Sequence, residues 1–176
     1  KLMRVPAAGG ACQSVATFEV KPGEQGPRWL EVLPGGEAIL GVNGGTGGMF
    51  SDDATIFAQS LKTGERKALI QGGTSPHYLS SGHLIYAQGG RLLAVPFDVR
   101  RLEITGAAAP ILEDVAQGTG GYSAYALTAN GALAYINGGQ FGGRPKTTLQ
   151  WVDRAGISRP ALEGAHTFSF PYLSPD

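Results

Sequence analysis

Cysteine is all but missing: the 176-residue chain holds Cys12 alone. That excludes an intramolecular disulfide framework and a thiolate metal site, and one cysteine does not fix the redox compartment. Charge is scarce too, at 16% of residues against about 25% in an ordinary globular chain. It is also balanced, with 14 basic and 14 acidic side chains, which leaves no electrostatic footprint for nucleic acid or an anionic membrane. No run approaches the ~18 apolar residues of a membrane span, so neither nucleic-acid partners nor membrane insertion of this segment is expected. Helical periodicity fails as well. No window keeps an i, i+3, i+4, i+7 apolar pattern beyond two turns, and alanine-rich Gly106 to Pro110 is short and ends in proline. The chain opens at Lys1 without an initiator methionine or a charged-then-apolar leader, so the natural start is expected upstream.

What is abundant is glycine, at 28 residues, which together with 11 prolines exceeds a usual combined share of about 12%. Hydrophobic residues still make up 42%, enough to bury a core, so disorder is not expected.

The glycines fall in a repeat. Leu33-Pro34-Gly35-Gly36, Leu79-Ser80-Ser81-Gly82 and Thr128-Ala129-Asn130-Gly131 each precede a short apolar run, and the chain ends on Leu173-Ser174-Pro175-Asp176. Gly36 and Gly82 are 46 residues apart, Gly82 and Gly131 49. An aromatic precedes each turn, at Trp29, Tyr78, Tyr125 and Tyr172, with spacings of 49, 47 and 47. Within a unit, apolar runs rich in β-branched and aromatic residues alternate with Gly, Asn, Asp and Pro, the composition of strands joined by hairpins. A four-stranded unit recurring every 40 to 50 residues is the pattern of a propeller blade. The predicted fold is therefore all-β: a partial β-propeller of four-stranded antiparallel blades, about three full blades plus half-blade pieces at both ends. The units are placed at 1–26 (outer strands of an incomplete blade), 27–71, 72–120 and 121–164 (blades), and 165–176 (first strand of a further blade). A β-sandwich is the alternative, but it has no reason to repeat a turn and an aromatic together.

Leu33-Pro34-Gly35-Gly36, Ser174-Pro175-Asp176, the hairpin Trp151-Val152-Asp153-Arg154-Ala155-Gly156, the stretch Ser75 to Ala87 and Val95-Pro96-Phe97-Asp98 resemble the TolB-type, WD-repeat-like propeller. Leu2 to Cys12 is similar to the outer hairpin of such a blade. Gly35 and Ser81 stand where that family usually has Asp, and the Gly-His…Trp-Asp signature of true WD repeats is absent. The resemblance implies an extracytoplasmic location, periplasmic or at the cell surface. It also implies a non-catalytic scaffold for protein interaction or ligand sensing, as found behind bacterial serine/threonine kinases.

Chemistry-bearing motifs are few. The histidines, His77, His83 and His166, show no H-E-x-x-H spacing, so no metal and no cofactor is expected. The nucleophile elbow fails at Gly73-Thr74-Ser75-Pro76-His77, and Ser123 has no base beside it; the chain is expected not to be an enzyme. The glycine-rich stretches 43–48, 118–121 and 138–143 match no phosphate loop and precede no helix. Asp52-Asp53 lacks the spacing of a calcium loop. Candidate ligand contacts on the channel or its rim are His77, at a blade entry, and Trp29, Tyr78, Tyr125 and Tyr172, aromatics that recur once per blade and for which packing is the default role.

Three blades do not close a ring, since propellers hold four to eight. The end strands Met3–Pro6, Gln13–Val20 and Thr167–Leu173 are expected to leave open edges and an uncovered apolar face carrying Phe168, Phe170 and Tyr172. A protein partner, or copies of the same chain in a ring or filament, would fill them. A place in a propeller hydrolase is the remaining alternative.

Overall fold

The structure is a computed structural model that describes residues 1–20, 22, 25–44, 54–118, 122–128, 131–138, 140–141 and 148–164. Tyr172, Phe168, Phe170, His166, Asp52, Asp53, most of the glycine-rich stretches and the terminal strand 167–173 lie outside these residues.

Every element among the described residues is a strand. A hairpin, β1 (Leu2–Arg4) and β2 (Gln13–Ala16), comes first. Then follow three antiparallel sheets of four, five and four strands. The first holds β3 (Gln25–Val32), β4 (Ala38–Gly44), β5 (Thr55–Ser60) and β6 (Arg66–Gln71) in sequence order. The second holds β7 (Thr74–Leu79), β8 (His83–Gln88) and β9 (Arg91–Asp98). Its outer strand is split: β10 (Glu103–Ile104) and β11 (Ala109–Leu112) both pair with β9, at different points along it. After β12 (Gln117–Gly118), the third sheet runs β13 (Tyr125–Leu127), β14 (Leu133–Ile136), β16 (Leu149–Val152), β17 (Ser158–Pro160). β15 (Gln140–Phe141) pairs parallel with β12.

Turn chemistry sets this meander. Gly36, Gly82 and Gly131 all take positive φ, at 70°, 81° and 89°. Each donates its N–H to the carbonyl three residues earlier, Leu33, Leu79 and Thr128, at 2.9–3.0 Å. A turn closing on a left-handed residue wants glycine, because a Cβ there costs energy. Asp98 and Asp153 stabilise two further turns. Asp98 Oδ1 accepts from the N–H groups of Arg100 and Arg101, and Asp153 Oδ1 from those of Ala155 and Ile157.

The sheets stack face to face, and each strand in the middle serves two interfaces. Leu84 and Tyr86 of β8, with Val95 and Phe97 of β9, pack against Leu40, Val42, Ile56 and Ala58 of the first sheet. Their sequence neighbours Ile85 and Ala87, with Leu92, pack against Tyr125, Leu133 and Tyr135 of the third. Alternate side chains of one strand point to opposite faces, so a strand buried on both reads as the unbroken apolar run Leu84-Ile85-Tyr86-Ala87.

The first sheet's outward face is not bare. Phe18, just past β2, meets Phe57 edge-on at 6.4 Å, and the Arg66 guanidinium lies over both rings. Phe57 is fully buried as a result of these and its other neighbours. The uncovered face expected around Phe168, Phe170 and Tyr172 lies outside the described residues, and the Phe57 contacts concern the first sheet's outward side alone. Leu30 and Val32 of β3 remain exposed there, at 41% and 64%.

Candidate functional site

The first strands of successive sheets run side by side, and β3 touches β7. Both carry the same irregularity. Trp29 and Ser75 take positive φ, 49° and 48°, four residues before Leu33 and Leu79. Ladder register shifts on each strand around these positions. The kink recurs at equivalent positions of the first two sheets, whereas the corresponding Ala124 of the third does not take positive φ.

Two residues after each kink stand Glu31 and His77, and the structure joins them. Glu31 Oε2 lies 3.0 Å from His77 Nδ1, and Glu31 Oε1 accepts from the Tyr78 backbone N–H at 3.2 Å. The imidazole meets the ring of Tyr125 edge-to-face, with centroids 5.4 Å apart and planes at 84°. Glu31, His77 and Tyr125 thus form a row across the first strands of three consecutive sheets. His77 and Glu31 keep 42% and 29% of their side-chain surface in solvent.

Beneath the row lies a buried hydroxyl cluster. Tyr125 donates its hydroxyl to the Ser75 carbonyl, with the Ile85 carbonyl also in reach. Burial, with the Glu31 charge as a second cause, pushes the Tyr125 phenol well above its usual ionisation range. Ser75 Oγ accepts from the Ser123 N–H at 3.1 Å, while Ser123 Oγ is within 3.4 Å of Thr74 Oγ1 and accepts from Gln117 Nε2. Thr74, Ser75 and Ser123 are all buried. These hydroxyls fasten the second sheet to the third, and Ser123 is held by that work.

The predicted contact residues divide accordingly. His77 and Tyr125 come together. Tyr78 turns its ring to Phe97, 6.1 Å away, and both it and Trp29 pack against the core between the first two sheets. Tyr172 lies outside the described residues. His83 sits beside Ser81 Oγ at 3.2 Å, at the start of β8. Sequence reasoning missed Glu31. The signal was available: Glu31 and His77 are 46 residues apart, the separation of Gly36 and Gly82.

A shallow groove of about 270 Å³ opens instead on the outer rim, lined by Lys67, Ala68, Leu69, Leu102, Glu103 and Ile104. Its charges are already partnered: Lys67 Nζ is 3.0 Å from Glu103 and donates to the Arg101 carbonyl, and Arg101 also pairs with Glu103.

No protein-family model matches the sequence, and no curated protein does. Among solved structures, the chain is similar to the crystal structure of regucalcin, a calcium-binding protein from Agrobacterium tumefaciens. The TM-score is 0.59 at 16% identity, over 88% of this chain and 51% of that one. Stacked four-stranded antiparallel sheets with such a neighbour decide the fold. This is a β-propeller segment. The segment spans about half the length of the six-bladed propeller it matches.

One expectation falls here. Propellers of the regucalcin type include enzymes, so the propeller cannot be taken as a non-enzyme on the ground that a nucleophile motif is missing. Motifs such as the nucleophile elbow belong to strand-to-helix turns, whereas a propeller gathers its chemistry from residues far apart in sequence, as Glu31, His77 and Tyr125 show. Calcium itself asks for six to eight oxygens. Among the described residues no three His, Cys, Asp or Glu side chains converge, so these residues do not fit such a cage.

Proposed function

We propose that the segment belongs to a TolB-type propeller of an extracytoplasmic protein, where it serves ligand sensing or protein interaction through the Glu31–His77–Tyr125 row. The row carries this reading. It brings a carboxylate, an imidazole and an aromatic ring together on the first strands, the strands nearest a propeller's axis, and leaves the polar pair half in solvent. Polar groups converging on a rigid scaffold are what a recognition site requires. The TolB assignment and the location are supported by the turn and hairpin residues quoted above. The remaining blades are supplied by the rest of a longer polypeptide or by a second chain. Support for this comes from the half-length match and from the exposure of Leu30 and Val32.

A thermal-shift screen of short peptides and small polar molecules against the purified segment tests the reading. Stabilising compounds are expected, and their effect should vanish in His77→Ala and survive in His83→Ala. If no compound stabilises the segment, or if every stabiliser still acts on His77→Ala, the row is not the site. Sedimentation at micromolar concentration tests the missing blades: a cooperatively folding monomer with open edges contradicts them.

A second reading, a share in a propeller hydrolase, is favoured by the carboxylate-bound imidazole, the arrangement that orients a general base.

A further inference from the structure

We propose that Glu31 and His77 form an oriented proton-accepting site, in which His77 Nε2 receives the O–H of a hydroxyl-bearing ligand such as a polyol or sugar. This rests on the reading of the first-strand row as the recognition surface, and it fixes that site's chemistry.

An ionised carboxylate only accepts hydrogen bonds. The 3.0 Å contact between Glu31 Oε2 and His77 Nδ1 is therefore donated by the ring. In the neutral imidazole, a proton on Nδ1 leaves Nε2 with the lone pair. Glu31 cannot swing away without a loss, because its other oxygen holds the Tyr78 N–H at 3.2 Å. The ring plane is fixed from the third sheet by Tyr125, which is itself fastened to the Ser75 carbonyl. His77 is thus held by one residue from each neighbouring blade, yet 42% of its side chain is exposed, and no described residue hydrogen-bonds its Nε2. A histidine that merely packs has its second nitrogen satisfied or buried, and one that merely decorates a surface is not held from both neighbouring sheets. Bound tautomer, fixed plane and open lone pair together make a preorganised acceptor. The Glu31 charge beside it repels anionic ligands and favours donors. A hydroxyl meets both conditions.

Nitrogen-15 NMR of the three histidine rings, assigned with His77→Gln, reads the tautomer directly. Neutral His77 is expected to carry its proton on Nδ1, and Glu31→Ala to return it to the Nε2–H form that an unconstrained histidine side chain prefers. Glu31→Gln, which keeps an acceptor oxygen, should retain part of the Nδ1–H form and serves if the alanine variant does not fold. Diethyl pyrocarbonate supplies a second readout. Its carbonyl carbon is attacked by an unprotonated imidazole nitrogen, a C–O bond breaks, and ethyl carbonate leaves and decays to ethanol and carbon dioxide. His77 should react several-fold faster than His83, and the advantage should disappear in Glu31→Ala. A panel of sugars and polyols, each beside its O-methylated counterpart, tests the ligand class: free hydroxyl compounds should shift the Nε2 resonance and methylated ones should not. An Nε2–H tautomer in the native chain, equal reactivity of His77 and His83, or a polyol panel that leaves Nε2 unmoved overturns the proposal. Those results leave the thermal-shift screen standing on its own, and an empty screen does not alter the tautomer.

Discussion

A Cβ added to Gly73 would lie 2.6 Å from Ile56 Cδ1 and 2.9 Å from Tyr86 Cδ2. Gly73 precedes β7, and its bare backbone lets the first sheet's Ile56 and the second sheet's Tyr86 close over it. Both neighbours are buried, so neither has room to retreat. Gly73→Ala is expected to cost about 1–3 kcal/mol, the usual penalty of overpacking a filled core. Urea unfolding at neutral pH measures it. A stability equal to the parent's would mean that the two sheets are not packed this closely.

Tyr125 ties the third sheet to the second through its hydroxyl. Tyr125→Phe keeps the ring beside His77 and leaves the Ser75 carbonyl without its donor, at an expected cost of about 1–3 kcal/mol. The same hydroxyl gives a pH dependence. Its folded ionisation range lies well above the ordinary value of 10.0, chiefly through burial. The folded state therefore keeps its proton where the unfolded chain has lost it. The contribution is complete below that ordinary value and falls away as pH rises through the window above it. Stability curves taken towards alkaline pH should decline more steeply for the parent than for Tyr125→Phe; parallel curves would refute the assignment.

Two partly exposed carboxylates act at the other end of the scale. Backbone N–H bonds from Arg101 and Arg100 lower Asp98 below its ordinary 3.8, with the Arg101 bond the largest cause. The Lys67 hydrogen bond, followed by the Arg101 charge, lowers Glu103 below 4.5. Their contributions are present above those ordinary values and are lost as pH falls through the lowered ones. Asp98→Ala should thus destabilise the protein near neutrality and flatten its acid limb, while raised salt weakens the Glu103 effect. Chemical unfolding across the acid range, with and without salt, checks both signs.

Phe18 and Arg66 close the outward side of the first sheet over Phe57. Phe18→Ala removes one face of the cation–aromatic stack and part of the cover, an expected loss of about 1–2 kcal/mol. Binding of a hydrophobic dye should rise in the variant. A variant as stable and as dye-silent as the parent would show that Phe18 covers nothing of consequence.

The fold was open to reading because turns are written locally. Gly36, Gly82 and Gly131 mark positions where only one residue type sits without strain, so their spacing survives in the sequence as a period. The site was half legible. His77 stood out as a rare residue type near a turn, and Tyr125 as a recurring aromatic. The aromatics were nevertheless out of phase with the turns: Trp29 and Tyr78 are 49 apart where their turn glycines are 46 apart. Tyr78 therefore faces Phe97 and the core, while Trp29 sits at the kink. Glu31 was hidden for a different reason. A lone glutamate on a strand looks like solvent-facing surface until the neighbouring sheet sets an imidazole against it, and no local pattern encodes which residues two sheets bring together.

The double duty of β8 has a consequence for how such a chain can change over generations. Inserting or deleting one codon between Leu84 and Ala87 would exchange the side chains presented to the two neighbours, putting Ile85 where Tyr86 fits and spoiling both contacts at once. Copying a whole stretch of some 46 to 49 codons does neither, since the new unit arrives with both faces in register. Gene lineages of this architecture are therefore free to grow or shrink by entire units, and are barred from drifting in length one residue at a time within a strand.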